Sequence, residues 1–123
     1  MKKKILVVDD EADLRKVLLL RLNKSGYEAF GVADGLEGFD LACRRMPDLI
    51  VLNRAMPKMS GREFARRVKR DERLKHIPII LISAEAENLE LNERKVGVVG
   101  YFKKPFEMKA LIGMIENQIS SDV

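Results

Sequence analysis

The sequence predicts one α/β domain over residues 1–123: a doubly wound, five-stranded parallel sheet with five helices. Three observations lead there. Short apolar runs recur along the chain with helix-length segments between them. The strongest runs, Ile5 to Val8, Leu49 to Leu52 and Ile77 to Ile82, lack polar alternation, as central parallel strands covered on both faces do. A chain of 123 residues without linker, internal repeat or low-complexity tract suits one core, burying roughly two thirds of its unfolded surface.

Ile5 to Val8, Leu49 to Leu52 and Ile79 to Ile82 are expected in the middle of the sheet. Tyr27 to Val32, which contains Glu28 and Gly31, suits an edge, and Val98 to Phe102 supplies a weaker fifth strand. Leu14, Val17, Leu18 and Leu22 repeat at helical spacing, with Leu19 and Leu20 widening the apolar surface, and Ser25-Gly26 should stop this first helix. Asp34-Gly35-Leu36-Glu37 has capping-box spacing for a second helix that buries Phe39, Ala42 and Cys43, is slightly weakened by Gly38, and ends before Pro47. Ser60-Gly61-Arg62-Glu63 has the same spacing and starts a third helix that buries Phe64 and Val68. A fourth, from about Ala86 to Lys95, rests on little more than Leu89 and Val96. The fifth starts near Phe106 or Glu107 and carries the stripe Met108, Leu111, Ile112, Ile115 and Ile119.

Composition narrows the function classes. Cys43 is the sole cysteine, so there is no internal disulfide, and no Cys/His cluster offers a zinc site; a reducing cytoplasm fits. No stretch approaches the roughly 20 apolar residues of a membrane span. The 23 Lys and Arg against 19 Asp and Glu leave a net charge of +4. Their densest cluster, Arg66-Arg67-Val68-Lys69-Arg70 with Arg73 and Lys75, is interrupted by Asp71 and Glu72 and is either a solvated helix face or a contact surface for nucleic acid or an acidic protein. Without a recognition-helix pair or an RNA motif, direct nucleic-acid binding is not expected of this chain.

In an open parallel sheet the chemistry gathers beyond the carboxyl ends of the strands. Here those ends carry Asp9 and Asp10, Asn53, Ser83, and the Lys103-Lys104-Pro105 segment. Adjacent carboxylates raise one another's pKa unless a cation compensates, so Asp9 and Asp10 point to a hard metal or a lysine partner, with helix capping as the alternative. The first turn has no GxGxxG, and two carboxylates would oppose a pyrophosphate, which argues against a dinucleotide fold.

Five segments, in order, resemble the successive motifs of response-regulator receiver domains. They are Lys4-Ile5-Leu6-Val7-Val8-Asp9-Asp10-Glu11, Pro47-Asp48-Leu49-Ile50-Val51-Leu52-Asn53, Met56-Pro57-Lys58-Met59-Ser60-Gly61, Ile82-Ser83-Ala84 and Tyr101-Phe102-Lys103-Lys104-Pro105-Phe106. The resemblance implies a flavodoxin-like strand order 2-1-3-4-5 and a two-component signalling role that is not enzymatic. It implies Mg²⁺ on Asp9 and Asp10 with position 53, Ser83 as the switch hydroxyl, Tyr101 as the switch aromatic and Lys104 as the phosphate-binding ammonium. Pro105 matches the proline after that lysine, often in a cis bond. Implied partners are a histidine kinase or phosphotransfer protein, recognised in part by the first helix, and a downstream effector or covalently linked output domain. The fourth helix, fifth strand and fifth helix would form the output face.

There are three departures from the family pattern. Asn53 stands where the phosphate-accepting aspartate is expected, and a neutral amide with a delocalised nitrogen lone pair cannot form an aspartyl phosphate. Mg²⁺ is therefore expected to bind weakly or not at all. Ser60 replaces a common acidic residue, and Val99-Gly100 replaces an alanine and an acidic residue before the aromatic. Arg54 offers a guanidinium that could pair with Asp9 or Asp10 in place of metal, or could simply face solvent. Asp48 precedes its strand and belongs at the opposite end from Asp9. Two origins of Asn53 stay open: a degenerate receiver that signals by binding alone, or an engineered Asp-to-Asn form. Leu19, Leu20 and the sparse fourth helix are candidates for a homodimer contact. The competing class is a basic nucleic-acid-associated α/β protein, or the receiver fragment of a DNA-binding regulator.

Overall fold

Strand and helix alternate where the period of the apolar pattern changes. In a computed structural model, which describes residues 2–84 and 97–120, the order is β1 (Lys4–Val8), α1 (Ala12–Lys24), β2 (Glu28–Val32), α2 (Gly35–Arg45), β3 (Leu49–Asn53), α3 (Gly61–Arg70), β4 (Ile79–Ser83), β5 (Gly100–Lys103) and α4 (Met108–Ser120). All strand pairs are parallel and the sheet order is β2-β1-β3-β4-β5, so the three continuous apolar runs do lie at its centre and the Tyr27 to Val32 run at an edge.

The expected count of five helices is corrected to four among the described residues. The additional helix expected over residues 86–95 lies outside them. It rested on the thinnest apolar stripe in the chain.

Because side chains alternate across a strand, one continuous apolar run serves two cores. Leu6, Val8, Ile50, Leu52, Ile79 and Leu81 meet Ala42 of α2 and Phe64, Ala65 and Val68 of α3. Ile5, Val7, Leu49, Val51, Ile80 and Ile82 face the other way, against Leu18 and Leu22 of α1 and Leu111, Ile115 and Ile119 of α4. Each such side chain contributes about 1.5–3 kcal/mol by leaving water.

The helix ends follow local chemistry. Asp34 Oδ1 accepts the Glu37 N–H at 2.9 Å and Ser60 Oγ accepts the Glu63 N–H at 3.2 Å, satisfying amides that the first helical turn leaves unpaired. α1 closes through the Ser25 N–H onto Arg21 O, and Gly26 takes φ +100°, a conformation glycine adopts without side-chain strain. Two expectations shift, and a third residue gains a packing reason. Val17, on the expected buried stripe of the first helix, is 48% exposed. Ile77 is buried but precedes β4, which starts only after Pro78. Gly38 is buried where α2 crosses β1: a Cβ there would sit 2.9 Å from Val8 Cγ2, so the position requires close approach.

Candidate functional site

Parallel pairing brings the carboxyl ends of β1, β3, β4 and β5 to one edge. Val8 pairs with Leu52, Asn53 with Ile82, and Ser83 with Lys103. Backbone bonds continue the ladder past the strands: Asp9 N–H to Val32 O at 3.1 Å, Arg54 N–H to Ile82 O at 2.9 Å, and Lys104 N–H to Ser83 O at 2.7 Å. Asp9, Asp10, Asn53, Ser83 and Lys104 thus converge from four strands. Asp9 is fully buried, Asn53 is 6% exposed and Ser83 3%, whereas Asp10 is exposed.

Asn53 Nδ2 donates to Asp10 Oδ1 at 2.9 Å and to Ala55 O at 3.0 Å. Two acceptors on one side fix the amide, because the flipped form would set its carbonyl oxygen against both of them. Asp9 Oδ1 accepts the Glu11 N–H at 2.9 Å, and its Oδ2 lies 3.4 Å from Lys104 Nζ. Burial holds the Asp9 carboxyl above the usual carboxylate range, opposed by the Glu11 N–H and by Lys104. Lys104 supplies a lysine partner to one member of the acid pair, Asp9.

Lys104 has a second partner that sequence reasoning does not single out. Its Nζ lies 3.1 Å from Glu11 Oε1, closer than to Asp9. Glu11 follows the acid pair at the start of α1, where an acid is expected for the helix dipole alone, yet it makes no side-chain cap bond there. Two further residues shape the pocket. Arg15 Nη1 donates to Asp9 O at 2.7 Å. Gly61 N–H donates to Arg54 O at 2.7 Å, and a Cβ at Gly61 would lie 2.5 Å from Asn53 O, so only glycine lets α3 approach the end of β3.

The remaining expected residues sit around this centre. Arg54 is half-buried beside it. Tyr101 lies on the edge strand β5, opposite Leu81 and 39% exposed. The Lys104–Pro105 peptide is cis. Asp48 is at the far end, its Oδ2 accepting the Lys4 N–H at 2.7 Å, as expected of a residue that precedes its strand.

Asp9 Oδ1 is taken by a backbone N–H and its Oδ2 faces an ammonium, while Asn53 turns N–H rather than oxygen toward Asp10. Among the described residues no group of three His, Cys, Asp or Glu side chains is placed to hold a metal. No helix among them is long and apolar enough to cross a membrane.

Residues 5–116 match the model of the response regulator receiver domain. The chain belongs to that family. Sporulation initiation phosphotransferase F of Bacillus subtilis is 36% identical over 109 residues, covering 88% of this chain and 86% of that protein. The phosphate regulon transcriptional regulatory protein PhoB of Pseudomonas aeruginosa is 37% identical over 115 residues, 93% of this chain but only 50% of that protein; the receiver thus spans half the length of this relative. The chemotaxis protein CheY4 of Vibrio cholerae superposes with a TM-score of 0.89 at 30% identity, over 95% of this chain and 98% of that one. Receivers of this family are regulatory modules, and Asn53 occupies the phosphoacceptor position.

Proposed function

We propose that this receiver works by binding its signalling partners without carrying a phosphoryl group itself. The observation behind this reading is the Asn53 amide, donated to Asp10 Oδ1 at 2.9 Å. Phosphorylation of a receiver needs a carboxylate oxygen that attacks phosphorus in line. Here the pocket side of position 53 presents a neutral N–H, already used to satisfy a neighbouring carboxylate. Lys104, which by family resemblance would hold a phosphoryl oxygen, is engaged by Asp9 and Glu11.

On this reading Asp10 is neutralised in part by the amide and Asp9 by Lys104, so Mg²⁺ binds only weakly. Ser83 and Tyr101 retain their places in the switch without a phosphoryl group to drive it. A histidine kinase or phosphotransfer protein is the upstream partner, recognised in part by α1. A downstream effector or a linked output domain receives the signal. The cytoplasm, where a lone cysteine such as Cys43 stays reduced, is the compartment that suits such partners.

Exposure to a small-molecule phosphodonor with Mg²⁺, followed by intact-mass measurement, tests the central claim. No mass gain is expected. One phosphoryl group localised to residue 53 would overturn it. Calorimetric titration should find no submillimolar Mg²⁺ site, and such a site, abolished by Asp10→Ala, would contradict the weak-metal reading.

A further inference from the structure

Beyond Gly61, α3 takes no part in the signalling pocket. α3 buries Gly61, Phe64, Ala65 and Val68, leaves Arg66, Arg67 and Arg70 exposed, and holds Arg62 and Lys69 half-buried. Several basic groups of this region are satisfied within the chain. Arg67 Nε pairs with Glu63 at 3.3 Å, Arg73 with Asp71 at 3.1 Å and Lys75 with Glu72 at 2.8 Å. Lys69 Nζ donates to Ile77 O at 2.7 Å and to Lys75 O at 3.1 Å.

Arg62, Arg66 and Arg70 are left over. No carboxylate pairs with any of them among the described residues, and Arg62 Nε is buried without a hydrogen-bond partner. They follow one another at i, i+4 and i+8. A helix rises about 6 Å over each such step, so three guanidinium groups line a strip about 12 Å long, half-buried at Arg62 and exposed at Arg66 and Arg70. Like charges at this spacing repel and weaken a helix on its own. The strip therefore gains most from an external anion with the same repeat.

We propose that the Arg62–Arg66–Arg70 strip of α3 docks an acidic helical segment of a partner protein. A helix with carboxylates at i, i+4 and i+8 repeats its charges at the same rise of about 6 Å, and each guanidinium fork can take a carboxylate in two parallel hydrogen bonds. The strip is one residue wide. Glu63 adjoins it on the helix and Glu72 lies just beyond its end, so a duplex nucleic acid or an anionic membrane, whose charge covers a broad front, would press against both acids.

The test uses the 123-residue chain and a fluorescein-labelled synthetic helix with glutamates at i, i+4 and i+8, read by anisotropy. Arg66→Gln/Arg70→Gln should weaken binding about ten-fold, as expected for the loss of two exposed charge-assisted pairs. Lys24→Gln/Arg44→Gln, with the same net charge, should change it less than about two-fold. A peptide of equal charge with scrambled glutamates should bind several-fold more weakly. Equal affinity of the Arg66→Gln/Arg70→Gln protein, or of the scrambled peptide, would overturn the proposal. So would a short DNA duplex or phosphatidylglycerol vesicles binding more tightly than the helix. Thermal melting checks that the variants fold. Arg66→Lys/Arg70→Lys keeps the charges and loses the forks, so it should fall between wild type and the glutamine variant; wild-type affinity there would refute the bidentate contact.

Discussion

Replacing Asn53 with aspartate barely alters shape but reverses the logic of the pocket. The variant loses the N–H bonds to Asp10 Oδ1 at 2.9 Å and to Ala55 O at 3.0 Å and places a second anion against Asp10. A hydrogen bond to a charged acceptor contributes about 1.5–3 kcal/mol and one to a carbonyl about 1 kcal/mol. Repulsion between the two carboxylates adds to this loss, while solvent at the exposed Asp10 and the nearby Lys104 ammonium offset part of it. The metal-free variant should therefore be less stable by about 3 kcal/mol, a fall in Tm of about 10 °C for a domain of this size. Mg²⁺ at 100 times its dissociation constant would restore about 2.7 kcal/mol, whereas wild type should respond by only a small fraction of that. Thermal melts in chelator and in Mg²⁺ read both effects, and intact mass after a phosphodonor shows whether the new carboxylate is phosphorylated. An unchanged Tm in chelator would refute the weight given to the amide bonds. If the variant folds and binds Mg²⁺ but gains no phosphoryl mass, Asn53 is not the principal obstacle, and Arg54 or Ser60 becomes the suspect.

Gly61→Ala should cost about 1–3 kcal/mol in denaturant unfolding, because its Cβ would sit 2.5 Å from Asn53 O and 2.8 Å from Arg54 Cα, both backbone atoms. Ser60→Ala removes the acceptor for the Glu63 N–H and should lower stability by about 1 kcal/mol in the same assay. The Asp34 carboxylate, held below its ordinary pKa first by the Glu37 N–H and also by Lys58, stabilises the fold above the unfolded-state pKa and loses that contribution as pH falls through the depressed value. Asp34→Ala should therefore flatten the acid limb of a stability profile below about pH 4, and an unaltered limb would contradict the assignment.

The sheet was legible because its signal is local: Ile5 to Val8, Leu49 to Leu52 and Ile79 to Ile82 are apolar without interruption, and all three are central. Less was legible where one residue type serves two ends. Ile77 extends an apolar run, but Pro78 delays the start of the strand. Gly38 weakens a helix by propensity, yet here it lets α2 close on Val8. In the site, Asp9, Asp10, Asn53, Ser83 and Lys104 were recognisable from their places at strand ends. Glu11 was not: its partner Lys104 lies 93 residues away, and an acid at a helix start has a sufficient local explanation. The direction of the Asn53 amide was equally hidden, since it depends on two acceptors that only the fold brings together.

Asparagine ages chiefly when the backbone nitrogen of the next residue attacks the side-chain carbonyl carbon, closing a cyclic imide that opens to aspartate or isoaspartate. At position 53 that nitrogen belongs to Arg54, and its N–H is held by Ile82 O at 2.9 Å where β3 leaves the sheet. The Asn53 amide is held in turn by Asp10 and Ala55. The native fold thereby closes the route by which this side chain would become an acceptor on its own. Peptide mapping after prolonged storage should find residue 53 intact in folded protein and converted faster in urea, where the ladder is gone; equal rates would show that the fold gives no protection. Protection of this kind would keep the charge of the pocket constant in stored protein, because conversion of Asn53 would add an anion beside Asp10.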